Sequence, residues 1–94
     1  MIVYTVKHQI PGRIRIEIPV LKKMTMAELK SLADVVTHVW KIEGIRDFSA
    51  SPVTGKVTIK YDPAVIDIKA YLIEMAADRE INDFIKKGAL DELH

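Results

Sequence analysis

The chain has no cysteine. That single absence removes disulfides, thiolate catalysis and cysteine-based zinc or copper sites together, so packing alone has to stabilise the fold. No apolar run approaches the roughly 20 residues that a membrane-spanning helix requires. The stretch Met1-Ile2-Val3-Tyr4-Thr5-Val6-Lys7 also lacks the basic start and cleavage site of a signal peptide, so a cytoplasmic protein is expected. Catalytic constellations are missing as well: there is no Ser/His/Asp or Cys/His set and no paired carboxylates beside a base. Gly12, Gly44, Gly55 and Gly88 read as turns or helix ends, and none belongs to a phosphate-cradling loop. No enzymatic activity is expected.

What is present describes an ordinary globular chain. Its 94 residues are enough for one core, and 49% hydrophobic with 29% charged residues is far from disordered or fibrous compositions. Net charge is +1, yet residues 1–60 carry ten Lys/Arg against five Asp/Glu, and residues 61–94 carry four against eight. The halves therefore differ in sign, +5 against −4, which favours a protein partner or a head-to-tail self-contact over generic polyanion binding.

The alternation Arg13-Ile14-Arg15-Ile16-Glu17-Ile18 predicts a central strand over 13–18 with the three isoleucines inward. Residues 2–7 alternate too, and the Pro11-Gly12 turn makes them its hairpin partner, with Ile2, Tyr4, Val6 and then His8 on the core side. Thr25-Met26-Ala27-Glu28 is a capping box opening a helix over 25–42, with Gly44 as its left-handed stop. A weaker strand over 45–51, a turn at Ser51–Gly55 and a strand over 56–61 follow, the last with Val57, Ile59 and Tyr61 inward. Asp67 caps a helix over 67–77, a further helical stretch covers 79–87, and the tail 89–94 is expected to fray. From strand 13–18 onward the order is that of an α+β ferredoxin-like sandwich, an antiparallel sheet with helices on one face. The usual last strand is missing, and the N-terminal hairpin strand can fill its slot. Residues 2–77 then form the core of a single domain, and 78–94 a helical extension.

His8-x-x-Pro11-Gly12-Arg13-x-Arg15, followed after a helix by Pro52-Val53-Thr54-Gly55-Lys56-Val57-x-Ile59-x-Tyr61-Asp62-Pro63, resembles the cysteine-free heavy-metal-associated-like domains. These occur at the N-termini of some metal-transporting P-type ATPases and as small separate proteins. The resemblance implies the fold and a link to metal homeostasis. The metal-binding branch of that family carries Met-Thr-Cys-x-x-Cys, where two soft thiolates grip Cu(I) or Zn(II). Here the comparable place reads Met24-Thr25-Met26-Ala27-Glu28-Leu29, and both thiolates are replaced. The Pro11-Gly12-Arg13 turn is also similar to the turn of amino-acid-sensing ACT domains, which makes small-molecule sensing the alternative function.

Three sets of residues are candidates for function. Met24 and Met26 offer two thioethers to Cu(I), and His8 offers a ring nitrogen to a metal or haem iron. Thioethers without a third ligand and a histidine without a second make weak sites, so no resident cofactor is expected. Lys7, Arg13, Arg15, Lys56 and Lys60 collect on the outward side of the sheet, with Glu17 against them, as a surface for an acidic partner. Nucleic acid is the less favoured occupant, because Tyr4, Phe48 and Tyr61 point inward and leave no stacking platform. Finally, Ile81, Phe84, Ile85 and Leu90 give the last helix an apolar stripe in want of cover, and helices 25–42 and 67–77 already occupy the core face. Either the helix docks on its own domain or it crosses to a second copy; a homodimer is the favoured outcome, or else a protein partner such as a metal-transporting ATPase.

Overall fold

A computed structural model describes residues 2–51 and 53–92, with side chains up to Lys86. Four strands, β1 (Thr5–Ile10), β2 (Arg13–Glu17), β3 (Ile45–Ser51) and β4 (Lys56–Tyr61), form one antiparallel sheet in the order β1-β2-β4-β3. Helices α1 (Met26–Trp40), α2 (Ile68–Ala77) and α3 (Arg79–Glu92) complete the chain. The unit β2-α1-β3-β4-α2 is the ferredoxin-like arrangement, and β1 lies antiparallel to β2 in the slot of the absent last strand.

The alternation in β2 has the predicted outcome. Ile14 is 0% and Ile16 1% exposed, and they pair across the sheet with Ile59 and Val57 of β4. Pairing stops at Glu17, and Pro19 then opens a 3-10 helix, Pro19–Lys23, at a position where its missing N–H costs no bond. That helix was not expected. It drives Leu21 into the core and brings the chain to Thr25. There the capping box forms as read: the Glu28 N–H donates to Thr25 Oγ1 (3.2 Å), and the Thr25 N–H donates to Glu28 Oε1 (3.1 Å). Asp67 Oδ1 likewise accepts from the Lys69 and Ala70 N–H groups at the start of α2.

Four expectations need correction. The N-terminal strand is Thr5–Ile10, three residues later at each end than read, because its pairing with β2 runs right up to the hairpin turn, where Gly12 takes φ +85°. A bulge between Val6 and His8 makes Lys7 the extra residue, which reverses the alternation beyond it. Val6 pairs with Ile16 on the helix side but is 46% exposed at the sheet edge, whereas His8 pairs with Arg15 and turns to the outer side. Helix α1 ends at Trp40, so Gly44 is not its stop. Gly44 instead takes φ +96° in the turn into β3, where a Cβ would lie 2.9 Å from Val65 Cγ1.

The last correction concerns α3. It runs through Gly88 to Glu92 instead of stopping at the glycine, a residue that costs a helix interior only about 1 kcal/mol. Its apolar stripe is covered by its own chain, since Ile81 (3% exposed) and Ile85 (7%) are buried where the helix packs against α1, α2 and the 3-10 helix. Phe84 is half-buried beside them, and the side chain of Leu90 lies outside the described residues. The corner before α3 is tightly bonded: Asp78 Oδ1 accepts from the Ile81 N–H (2.9 Å), and Asn82 Nδ2 donates to the carbonyls of Ala76 (2.8 Å) and Asp78 (2.6 Å). On the far side of the core the Tyr71 hydroxyl donates to the Trp40 carbonyl (2.6 Å), and the two rings meet edge to face. Burial pushes the Tyr71 phenol well above its ordinary pKa.

Candidate functional site

The segment Met24–Leu29 has little chemistry left to offer. Met24 is 6% exposed in the core, Met26 is 63% exposed on the first turn of α1, and Leu29 packs against the core. Thr25 and Glu28 bond each other's N–H groups in the capping box. His8 does not join them. It stands on the outer side of the sheet opposite Arg15, and the sheet separates it from Met24 on the helix side. Among the described residues no three His, Asp or Glu side chains gather as a metal-holding group.

The outer face of the sheet is where charge converges. Directly paired residues on neighbouring strands project to the same side, so register assigns the rows of this face. One row runs Ile10, Arg13, Lys60, Asp47; the next His8, Arg15, Thr58, Ser49; the third Thr5, Glu17, Lys56, Ser51. Arg13, Arg15, Lys56 and Lys60 therefore share one surface as the sequence indicated, while Lys7 sits in the bulge at its edge. Sequence reasoning placed Thr58 on this face but missed His8 and Ser49 as members, the first because bulges leave no mark in an alternating pattern. Phe48, Ile59 and Tyr61 all belong to the core side, which leaves this face without aromatic rings.

Its electrostatics are unbalanced along the middle. Arg13 lies directly opposite Lys60, a like-charge pair that opposes sheet formation. Asp47 on β3 offsets Lys60 from the other side, and Glu17 balances Lys56 in the third row. Arg15 reaches only a neutral group, donating from Nε to Thr58 Oγ1 at 3.4 Å. Among the described residues the sole ion pair joins Arg46 and Asp62 (3.6 Å), and Arg46 is the bulged residue of β3, off these rows. The cations of the face thus keep their capacity for an outside anion.

The family model for heavy metal associated domain 2 matches residues 2–79. The chain belongs to this heavy-metal-associated family. No curated protein and no solved structure matches it.

For a heavy-metal-associated domain the composition of this one is informative. Where thiolates would sit the first turn of α1 carries Met26 and Leu29, and the chain has no cysteine with which to build such a site. The match ends at residue 79, where α3 begins. No described helix is long and apolar enough to cross a membrane.

Proposed function

We propose that this heavy-metal-associated domain serves metal homeostasis as a non-enzymatic accessory module of the cytoplasm, recognising an acidic protein surface through the outer face of its sheet. Family membership supports the metal link. The carrying observation is the like-charge pair Arg13 and Lys60, with Arg15 beside it and none of the three in an ion pair among the described residues. Cations kept opposite one another cost stability, and an acidic partner turns that cost into binding free energy and a faster, salt-sensitive encounter. A metal-transporting ATPase is the class of partner that the family suggests.

A photo-crosslinking amino acid at Thr58, in the centre of the face, tests this inside cells. The expected product is a discrete adduct with an acidic protein, lost when Arg15 and Lys60 are both changed to Glu. Adducts that persist unchanged in the charge-reversed protein would refute the reading. Titration of the purified domain with Cu(I), Zn(II) and haem separates it from a ligand-centred one: weak binding is expected, and a tight one-to-one site abolished by His8→Ala would make His8 the centre of function instead.

A further inference from the structure

A cavity of about 100 Å³ lies between the sheet and the helices. Leu32 of α1, Val57 of β4, Leu72 of α2 and Ile81 and Ile85 of α3 help to line it, and the Tyr4 phenol is the only hydroxyl among its lining side chains. Protein interiors rarely leave voids larger than a water molecule, and a space without polar partners does not hold water. An engineered apolar cavity of about 150 Å³ takes up benzene or xenon. The present one, two-thirds of that size, suits a smaller apolar guest.

Its construction argues against simple loose packing. Two of its lining residues, Ala33 on α1 and Ala50 on the edge strand β3, are exposed to solvent as well, so the space reaches the surface between these two elements. A larger apolar residue at either position closes the gap within the same fold. Each is the smallest side chain that still presents a methyl group. The enclosure also takes in Ile2, whose N–H donates to the Ala76 carbonyl (3.1 Å), and Ile81 and Ile85 of α3. Helix α3 helps to enclose the space, and small side chains line it where it meets solvent.

We propose that this cavity is a binding site for a small uncharged aliphatic group, admitted between Ala33 and Ala50. Charge and hydrogen bonding contribute nothing to recognition there, so selection is by size and apolarity. The site is on the opposite side of the sheet from the basic face, and its test is independent of any partner.

Methyl-detected NMR of the full chain under xenon pressure reads it. Saturable shifts are expected at the methyls of Leu32, Val57, Leu72, Ile81 and Ile85, at least several-fold weaker in Ala33→Leu and stronger in Val36→Ala. Ala50→Val provides a second blocking variant should Ala33→Leu lose its fold. Buffer saturated with n-butane is expected to displace the xenon. Shifts that grow linearly with pressure at methyls throughout the protein, shifts indifferent to both blocking variants, or xenon that n-butane fails to displace each overturn the proposal.

Discussion

The two faces of β2 are one residue apart and chemically opposite. Ile14 and Ile16 project into the core, shielded by the helices, while Arg13, Arg15 and Glu17 project to the open side. The inner face holds the domain together, since each fully buried large aliphatic side chain contributes about 1.5–3 kcal/mol. The outer face contributes little and even opposes folding at Arg13 and Lys60. The sheet thus separates the side chains that hold the domain together from the cations to which the proposed function assigns a partner.

The sharpest way to break that comparison is to exchange one residue on each face. Ile14→Ala or Ile59→Ala, both at 0% exposure, is expected to cost about 2–5 kcal/mol. For a domain this small each kilocalorie lowers the melting temperature by about 4–8 °C. Arg15→Ala is expected to stay within about 0.5 kcal/mol of the parent. Thermal denaturation of the three variants decides: if Arg15→Ala falls as far as Ile14→Ala, the faces are not separate in function.

The inner face was legible in the sequence because burial imposes a period. Ile14, Ile16, Val57, Ile59 and Tyr61 were placed by alternation, and Thr25, Glu28 and Asp67 by the unpaired N–H groups that a helix start must satisfy. The outer face was legible in its cations but not in its boundaries. Alternation puts His8 on the core side because nothing local announces the bulge at Lys7; the extra residue is set by pairing with β2. Likewise Gly88 can end a helix or continue one, and here α3 continues through it. The cavity had no signature in the sequence, since it depends on how α1, the sheet and α3 meet.

Backbone geometry beneath the inner layer offers a smaller effect. Gly44→Ala places a Cβ within 2.9 Å of Val65 and forces a non-glycine residue to φ +96°, so a loss of about 1–3 kcal/mol is expected in urea denaturation. A loss under about 0.5 kcal/mol would show that the β3 turn yields readily. Next comes Tyr71, whose hydrogen bond to the Trp40 carbonyl ties α2 to the end of α1. Tyr71→Phe is expected to cost about 0.5–1.5 kcal/mol. Burial raises the phenol's pKa in the folded protein above its unfolded value near 10, so the unfolded chain loses this proton first. The contribution of Tyr71 is therefore complete below about pH 10 and declines as pH rises from there toward the folded pKa. Tyr71→Phe is expected to flatten that alkaline decline, and an unchanged pH profile would assign the decline to other groups.

The smallest stability effects lie on the outer face, and their signs are the informative part. Arg13 is opposite Lys60, whereas Glu17, four residues along the same strand, is opposite Lys56. Cross-strand charge pairs are worth about 0.2–1 kcal/mol, so Arg13→Gln is expected to stabilise the domain and Glu17→Gln to destabilise it by amounts at the low end of that range. Both shifts should shrink as salt rises from 0.01 M, where the screening length is about 30 Å, to 0.15 M, where it is about 8 Å. Partner binding should move differently: Arg13→Gln weakens it by removing a cation, although the same change makes the free domain more stable. Chemical denaturation at the two salt concentrations measures the signs. Shifts in the same direction for both variants would show that the register of charges does not govern this face, and the like-charge pair Arg13 and Lys60 would no longer support the proposed binding surface.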